Sequence, residues 1–99
     1  MILYNVTVKI ENDAHNDWLE WMRKVHIPDV LATGFFEDHK MCLILHDEPD
    51  GKTYSIQYFC KDLETLQRYQ LESAPKLQAE HQHRFKDKYV AFRTIMKVL

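Results

Sequence analysis

The chain opens on strict alternation. Ile2, Tyr4, Val6, Val8 and Ile10 fall on one side of an extended segment, and Leu3, Asn5, Thr7 and Lys9 on the other. That is the period of a strand with one apolar and one semi-polar face. From Ala14 the period changes. Ala14, Trp18, Trp21 and Val25 form one helical stripe, His15, Leu19, Met22 and His26 an adjacent one, and Asn16, Asp17, Glu20, Arg23 and Lys24 fill the far side. The wide apolar arc predicts a helix pressed on a sheet. Asn12-Asp13 is its expected cap. Pro28 breaks or restarts it near Ile27, and Thr33-Gly34 stops it.

Two further strands follow, over Phe35–His46 and Thr53–Cys60, joined by the turn Asp47-Glu48-Pro49-Asp50-Gly51-Lys52. Asp62 is placed to cap a second helix carrying Leu63, Leu66, Tyr69 and Leu71. Ser73-Ala74-Pro75 predicts a break and a new start, with Ser73 as cap. The continuation to Phe85 has the inner stripe Ala74, Leu77, His81 and Phe85. Lys88–Leu99 is the last strand, with Val90, Phe92, Met96 and Val98 on one face.

The order is βαββαβ, which predicts an α+β, ferredoxin-like domain over residues 1–99: a four-stranded antiparallel sheet with two helices on one face. The uncovered face would carry Leu3, Asn5, Thr7, Phe36, Cys42, Ile44, Ser55, Gln57 and Phe59. That mixture is too apolar for open solvent and too polar for a dry core. A second copy packed sheet to sheet suits it, giving a homodimer.

Composition narrows the function classes. Net charge is −2, which predicts neither a nucleic-acid nor a membrane partner. Residues 1–50 hold four Lys+Arg against ten Asp+Glu, and residues 51–99 nine against five. The two halves either form the solvated faces of two helices or attract each other within or between subunits. No window approaches a membrane span, and the N-terminus lacks the basic region of a signal peptide, so a cytoplasmic location is expected. Cys42 and Cys60 fall on opposite faces of neighbouring strands, so both thiols should be free, and no metal ligand set is expected. Two glycines and no Gly-rich loop argue against nucleotide binding. GxSxG and HExxH are absent. The third strand, YSIQYFC, lacks the glycines and the basic residue of an RNA-binding sheet.

Six histidines stand out. His26 faces the apolar half beside the helix break, where it can act as ligand or base, or simply bond a nearby carbonyl. His81 lies on the inner stripe of the second helix; His83, two residues on, cannot share a metal with it from a regular helix. His15, His39 and His46 read as rim groups. Trp18, Trp21, Met22, Phe36, Tyr58, Phe85 and Phe92 either fill the core or line a pocket for a planar ligand. Arg93 is a charge in an apolar strand. It calls for a carboxylate, a dimer seam or an anionic ligand.

The segments HIPDVLATGFF and LQAEHQHRFKDKYVAFRTIMKVL resemble an uncharacterised bacterial family, the domain-of-unknown-function family numbered 4286. The resemblance spans essentially the whole chain. It implies the dimeric α/β-barrel form of the ferredoxin-like fold and no assigned activity. Groups sharing that barrel include antibiotic-biosynthesis and heme-degrading monooxygenases. LQAEHQHRF is similar to the helix that supplies an axial histidine in the heme-degrading group, which makes heme a possible cofactor. Their pattern adds a first-strand asparagine, matched by Asn5, and a third-strand tryptophan, where this chain has Tyr58-Phe59-Cys60. Three roles are therefore open: a small-molecule-binding protein without catalysis, an oxygenase-like enzyme using His26, His81 or Asn5, and a protein-interaction module.

Overall fold

The computed structural model describes all residues 1–99. Strand β1 is Ile2–Glu11, β2 Asp38–Leu43, β3 Gly51–Cys60 and β4 Tyr89–Lys97. They form one antiparallel sheet in the order β2-β3-β1-β4. Two helical arms cross the sheet: α1 (His15–Trp21) and α2 (Ile27–Ala32) in the first, α3 (Leu63–Glu72) and α4 (Ala74–Arg84) in the second. This is the ferredoxin-like arrangement that the βαββαβ order predicts.

The register assigns the faces. Tyr4 pairs with Tyr58 and Ile95, Val6 with Ile56 and Arg93, and Val8 with Tyr54 and Ala91. Met41 lies opposite Ile56. These residues lie on the helix-facing side of the sheet, where Ile95 and Arg93 on the edge strand stay exposed. Their neighbours Leu3, Asn5, Thr7, Ser55, Gln57, Phe59, Cys42, Phe92 and Met96 point to the uncovered side, because side chains alternate along each strand. Cys42 and Cys60 are both free thiols, as their opposite faces require.

The first arm explains how Pro28 is accommodated. Between α1 and α2, residues Met22–His26 form a π turn, and the Ile27 N–H bonds the Met22 carbonyl five residues back. A proline inside a regular helix lacks its N–H and collides with the carbonyl four residues earlier. The extra residue in the turn relieves both problems and lets α2 begin at Ile27 with Pro28 in its first turn. Gly34 ends the arm at φ +81°, a left-handed position that favours glycine.

Several local expectations change. Neither Asn12 nor Asp13 caps the first arm. The Asn12 amide instead donates to the Pro49 carbonyl, and Asp13 binds Lys88. Asp62 does cap α3, accepting from the Thr65 N–H at 2.8 Å and its hydroxyl at 2.6 Å. Ser73 makes no side-chain cap bond, and α4 starts on Ala74-Pro75 alone. Strand β2 is shorter than Phe35–His46, and Phe36 leaves the sheet plane to join Tyr4, Tyr58 and Tyr69 in the core rather than the uncovered face. Strand β3 begins earlier, at Gly51, where a side chain would put its Cβ 2.6 Å from the Ile10 carbonyl oxygen. The acidic and basic halves meet within the chain through Asp13–Lys88 and Asp17–Arg84. Both pairs are exposed, so water and salt screen them and they contribute little.

Candidate functional site: a helix–sheet cleft

The cleft lies between the helix-facing side of the sheet and the helical arms. Val6, Val8, Ile56 and Ala91 form its floor, Met22 and Val30 one wall, and Leu77 the other. Its polar lining is Tyr4, Tyr58, Tyr69, Gln78, Tyr89, His26, His81 and Arg93. The interior volume is about 40 Å³, and about 490 Å³ when the space out to the mouth is included. The interior thus holds only a few waters, while the mouth admits more.

The two histidines arrive from opposite arms. The π turn delivers His26, and α4 delivers His81; their ring centroids are 5.7 Å apart. The Trp18 indole N–H donates to His81 Nε2 at 2.9 Å. Indole nitrogen can only donate, so His81 is the neutral tautomer with its proton on Nδ1. His26 Nδ1 is buried and has no hydrogen-bond partner. Burial pushes both histidines down to about 4. Asp29 partly opposes this at His26, while Arg93 adds to the lowering at both, and His26 lowers His81 further. Both rings are therefore neutral at pH 7.

Burial also raises the phenols of Tyr4, Tyr58 and Tyr69. At Tyr4 the neighbouring Arg93 and Gln78 side chains pull the other way. Arg93 takes part in none of the ion pairs of the chain, and no Asp or Glu lines the cleft. No group of three or more His, Cys, Asp or Glu side chains converges to hold a metal.

Among the residues singled out in the sequence, the fold brings together His26, His81, Met22, Tyr58 and Arg93. Others are placed elsewhere. Trp18 is fully buried, its ring tilted against Tyr54 with centroids 5.1 Å apart. Phe36 and Phe85 are core residues, the latter edge-on to Trp21. Phe92 stands 63% exposed on the uncovered face. Asn5 points to that same face, where its carbonyl oxygen accepts from Ser55 and its amide donates to Thr7. It therefore does not join the histidines, because the one-residue parity separating it from Tyr4 turns it through the sheet. Tyr4, Tyr69, Tyr89 and Gln78 were not anticipated. Tyr4 and Tyr69 carried a usable signal, being phenols on otherwise apolar inward stripes.

A porphyrin does not fit this cleft as it stands. It would have to displace the Trp18 donor from His81 and expand an interior far below the roughly 300–1,000 Å³ of pockets that enclose drug-sized ligands.

Comparison with known proteins places the chain. The family model described as "Domain of unknown function (DUF4286)" matches residues 1–99. No sequence among the curated proteins matches. Solved structures similar to it include a dimeric ferredoxin-like protein from an uncultured marine organism, 12% identical, covering 100% of this chain and 95% of that one, with a TM-score of 0.74. SnoaB, a cofactor-independent oxygenase from Streptomyces nogalater, is 9% identical over 98% and 92% of the two chains, with a TM-score of 0.68. MhuD, in a form with two manganese protoporphyrin IX bound per active site, is 15% identical over 100% and 95%, with a TM-score of 0.66. At these identities the likeness establishes the shared fold.

Proposed function

Since the chain belongs to the DUF4286 family, whose function is described only as unknown, we propose its role from the cleft: a homodimeric α/β-barrel protein that binds a small, largely apolar or planar ligand between sheet and helices. The observation that carries this reading is His26 Nδ1, a buried polar atom without a hydrogen-bond partner on a residue that lines the cleft. Leaving such an atom unpaired costs about 1–3 kcal/mol, which a bound ligand recovers. Titration with salicylamide, a neutral planar probe, followed by ligand-observed NMR, tests it. Binding is expected in the wild type and lost in Ala91→Trp, which fills the cleft from β4. Undiminished binding in that variant would remove the site from the cleft.

Pairing through the uncovered sheet face is supported by Val90, Phe92 and Met96, which are 68%, 63% and 39% exposed there. A dimeric ferredoxin-like protein among the structural matches supports it too. Light scattering should give about twice the 11.9 kDa chain mass, falling toward the monomer in Phe92→Glu.

A second reading is an oxygenase-like enzyme, supported by the free nitrogen of His26 and by the likeness to a cofactor-independent oxygenase. With a pKa of about 4, His26 is a weak base suited only to an acidic substrate proton. Heme is the cofactor the resemblance offers. Hemin is expected to give no Soret shift while Trp18 occupies His81; a one-to-one shift abolished in His81→Ala would restore it.

A further inference from the structure

Apolar clefts need few polar groups, and those present report what they were built to meet. Here one of them is a cation. Arg93 sits on β4 opposite Val6, its side chain on the helix side of the sheet at the cleft. It is exposed at the mouth of the cleft and takes part in no ion pair. The cleft offers it only phenols, an amide and two imidazoles. Because both rings are neutral at pH 7, the guanidinium is the one formal charge facing this space. Guanidinium presents a planar fork of donors that matches a carboxylate, and at the mouth of an aromatic-walled cleft it meets the charged end of a ligand whose body enters.

The rest of the lining sets the body of that anion. Tyr4, Tyr58, Tyr69 and Tyr89 present ring surface, and Val6, Val8, Ile56 and Ala91 form an apolar floor. His26 Nδ1 adds a single unpartnered polar point from the opposite arm. The juxtaposition is an apolar, aromatic-walled slot with one cation at its β4 side and one unpaired imidazole nitrogen.

We infer that the natural ligand is a planar aromatic acid, a monoanion whose carboxylate docks on Arg93 while a ring hydroxyl reaches His26 Nδ1. The inference rests on the cleft being the ligand site and names the chemical class that it takes. No covalent step is required. Arg93 is a specificity-determining residue, discriminating charged from neutral ligands of the same shape.

The test compares salicylate with its neutral isostere salicylamide, measured by calorimetry or ligand-observed NMR on the wild type, Arg93→Gln, Arg93→Lys and His26→Phe. Circular dichroism confirms the fold of each variant. Salicylate should bind at least tenfold more tightly than salicylamide. Arg93→Gln should erase that ratio by weakening salicylate alone, and Arg93→Lys should restore part of it. His26→Phe should weaken both probes. Equal affinity of the two probes for the wild type would overturn the acid class while leaving the cleft as a ligand site. Failure of both probes to bind would overturn the cleft and the inference together. If Arg93→Gln lowers the dimer mass and leaves salicylate affinity unchanged, Arg93 is a subunit-seam cation and the inference falls.

Discussion

Acid should unfold this protein through its cleft before the surface carboxylates respond. His26 and His81 both have pKa values near 4 in the fold, against 6.5 for a solvated histidine. The sign follows directly. The unfolded chain takes up protons at these sites as pH falls through about 6.5, while the folded chain resists until about 4. The stability conferred by their neutral burial is therefore fully present above 6.5 and is lost progressively on going down to 4. Linkage puts the loss between pH 7.5 and 5 at about 2 kcal/mol per histidine and about 4 kcal/mol together. Against the 5–15 kcal/mol typical of whole domains, that is a large share. Urea unfolding followed by circular dichroism at pH 7.5, 6.5, 5.5 and 5.0 measures it. The carboxylates held below their ordinary range, Asp50, Asp62 and Glu20, titrate beneath this window. The double variant His26→Gln/His81→Gln should flatten the profile. A wild-type change under about 1 kcal/mol across the window, or a slope that survives in the double variant, would refute neutral burial of the pair.

Two further outcomes follow from single contacts. Trp18→Phe removes the donor to His81 Nε2 and shrinks a fully buried ring; the expected loss is about 2–4 kcal/mol from the orphaned acceptor and the cavity, read as a drop in urea midpoint, and a loss below about 0.5 kcal/mol would mean the bond contributes little. Asp62→Ala deletes a cap that accepts from both the amide and the hydroxyl of Thr65; about 0.5–2 kcal/mol should be lost, visible as a lower Tm by scanning calorimetry, and an unchanged Tm would show that α3 is held by packing alone.

Much of the architecture is decided by local chemistry. Alternation from Ile2 to Ile10 sets a strand with a defined inner face, and the same parity holds Met41 and Leu43 with Ile56 and Tyr54. Pro28 dictates a fault in the first arm, since no regular helix accommodates it there. Asp62 starts α3 because its carboxylate finds the Thr65 N–H within one turn. These features depend on neighbours a few residues away, so they can be read along the chain. Asn12, Asp13 and Ser73 show the limit of that reasoning. They carry the right side chains for caps, yet distant partners draw Asn12 and Asp13 away, to Pro49 and Lys88.

The sequence by itself determined the element order, the inward stripes and the presence of histidines and an arginine where an apolar surface should be. Only the tertiary structure decided what those residues face. The bond between Trp18 and His81 joins positions 63 residues apart, and a π turn, whose extra residue no periodicity announces, presents His26 beside them. Alternation groups Arg93 with Ala91 and Ile95, but it took the pairing of β4 with β1 to place that group on the helix-facing side of the sheet rather than on the uncovered face. Asn5 went the opposite way for the same reason. A single residue of strand parity inverts the face, and which face the helices cover is fixed by packing across the whole sheet.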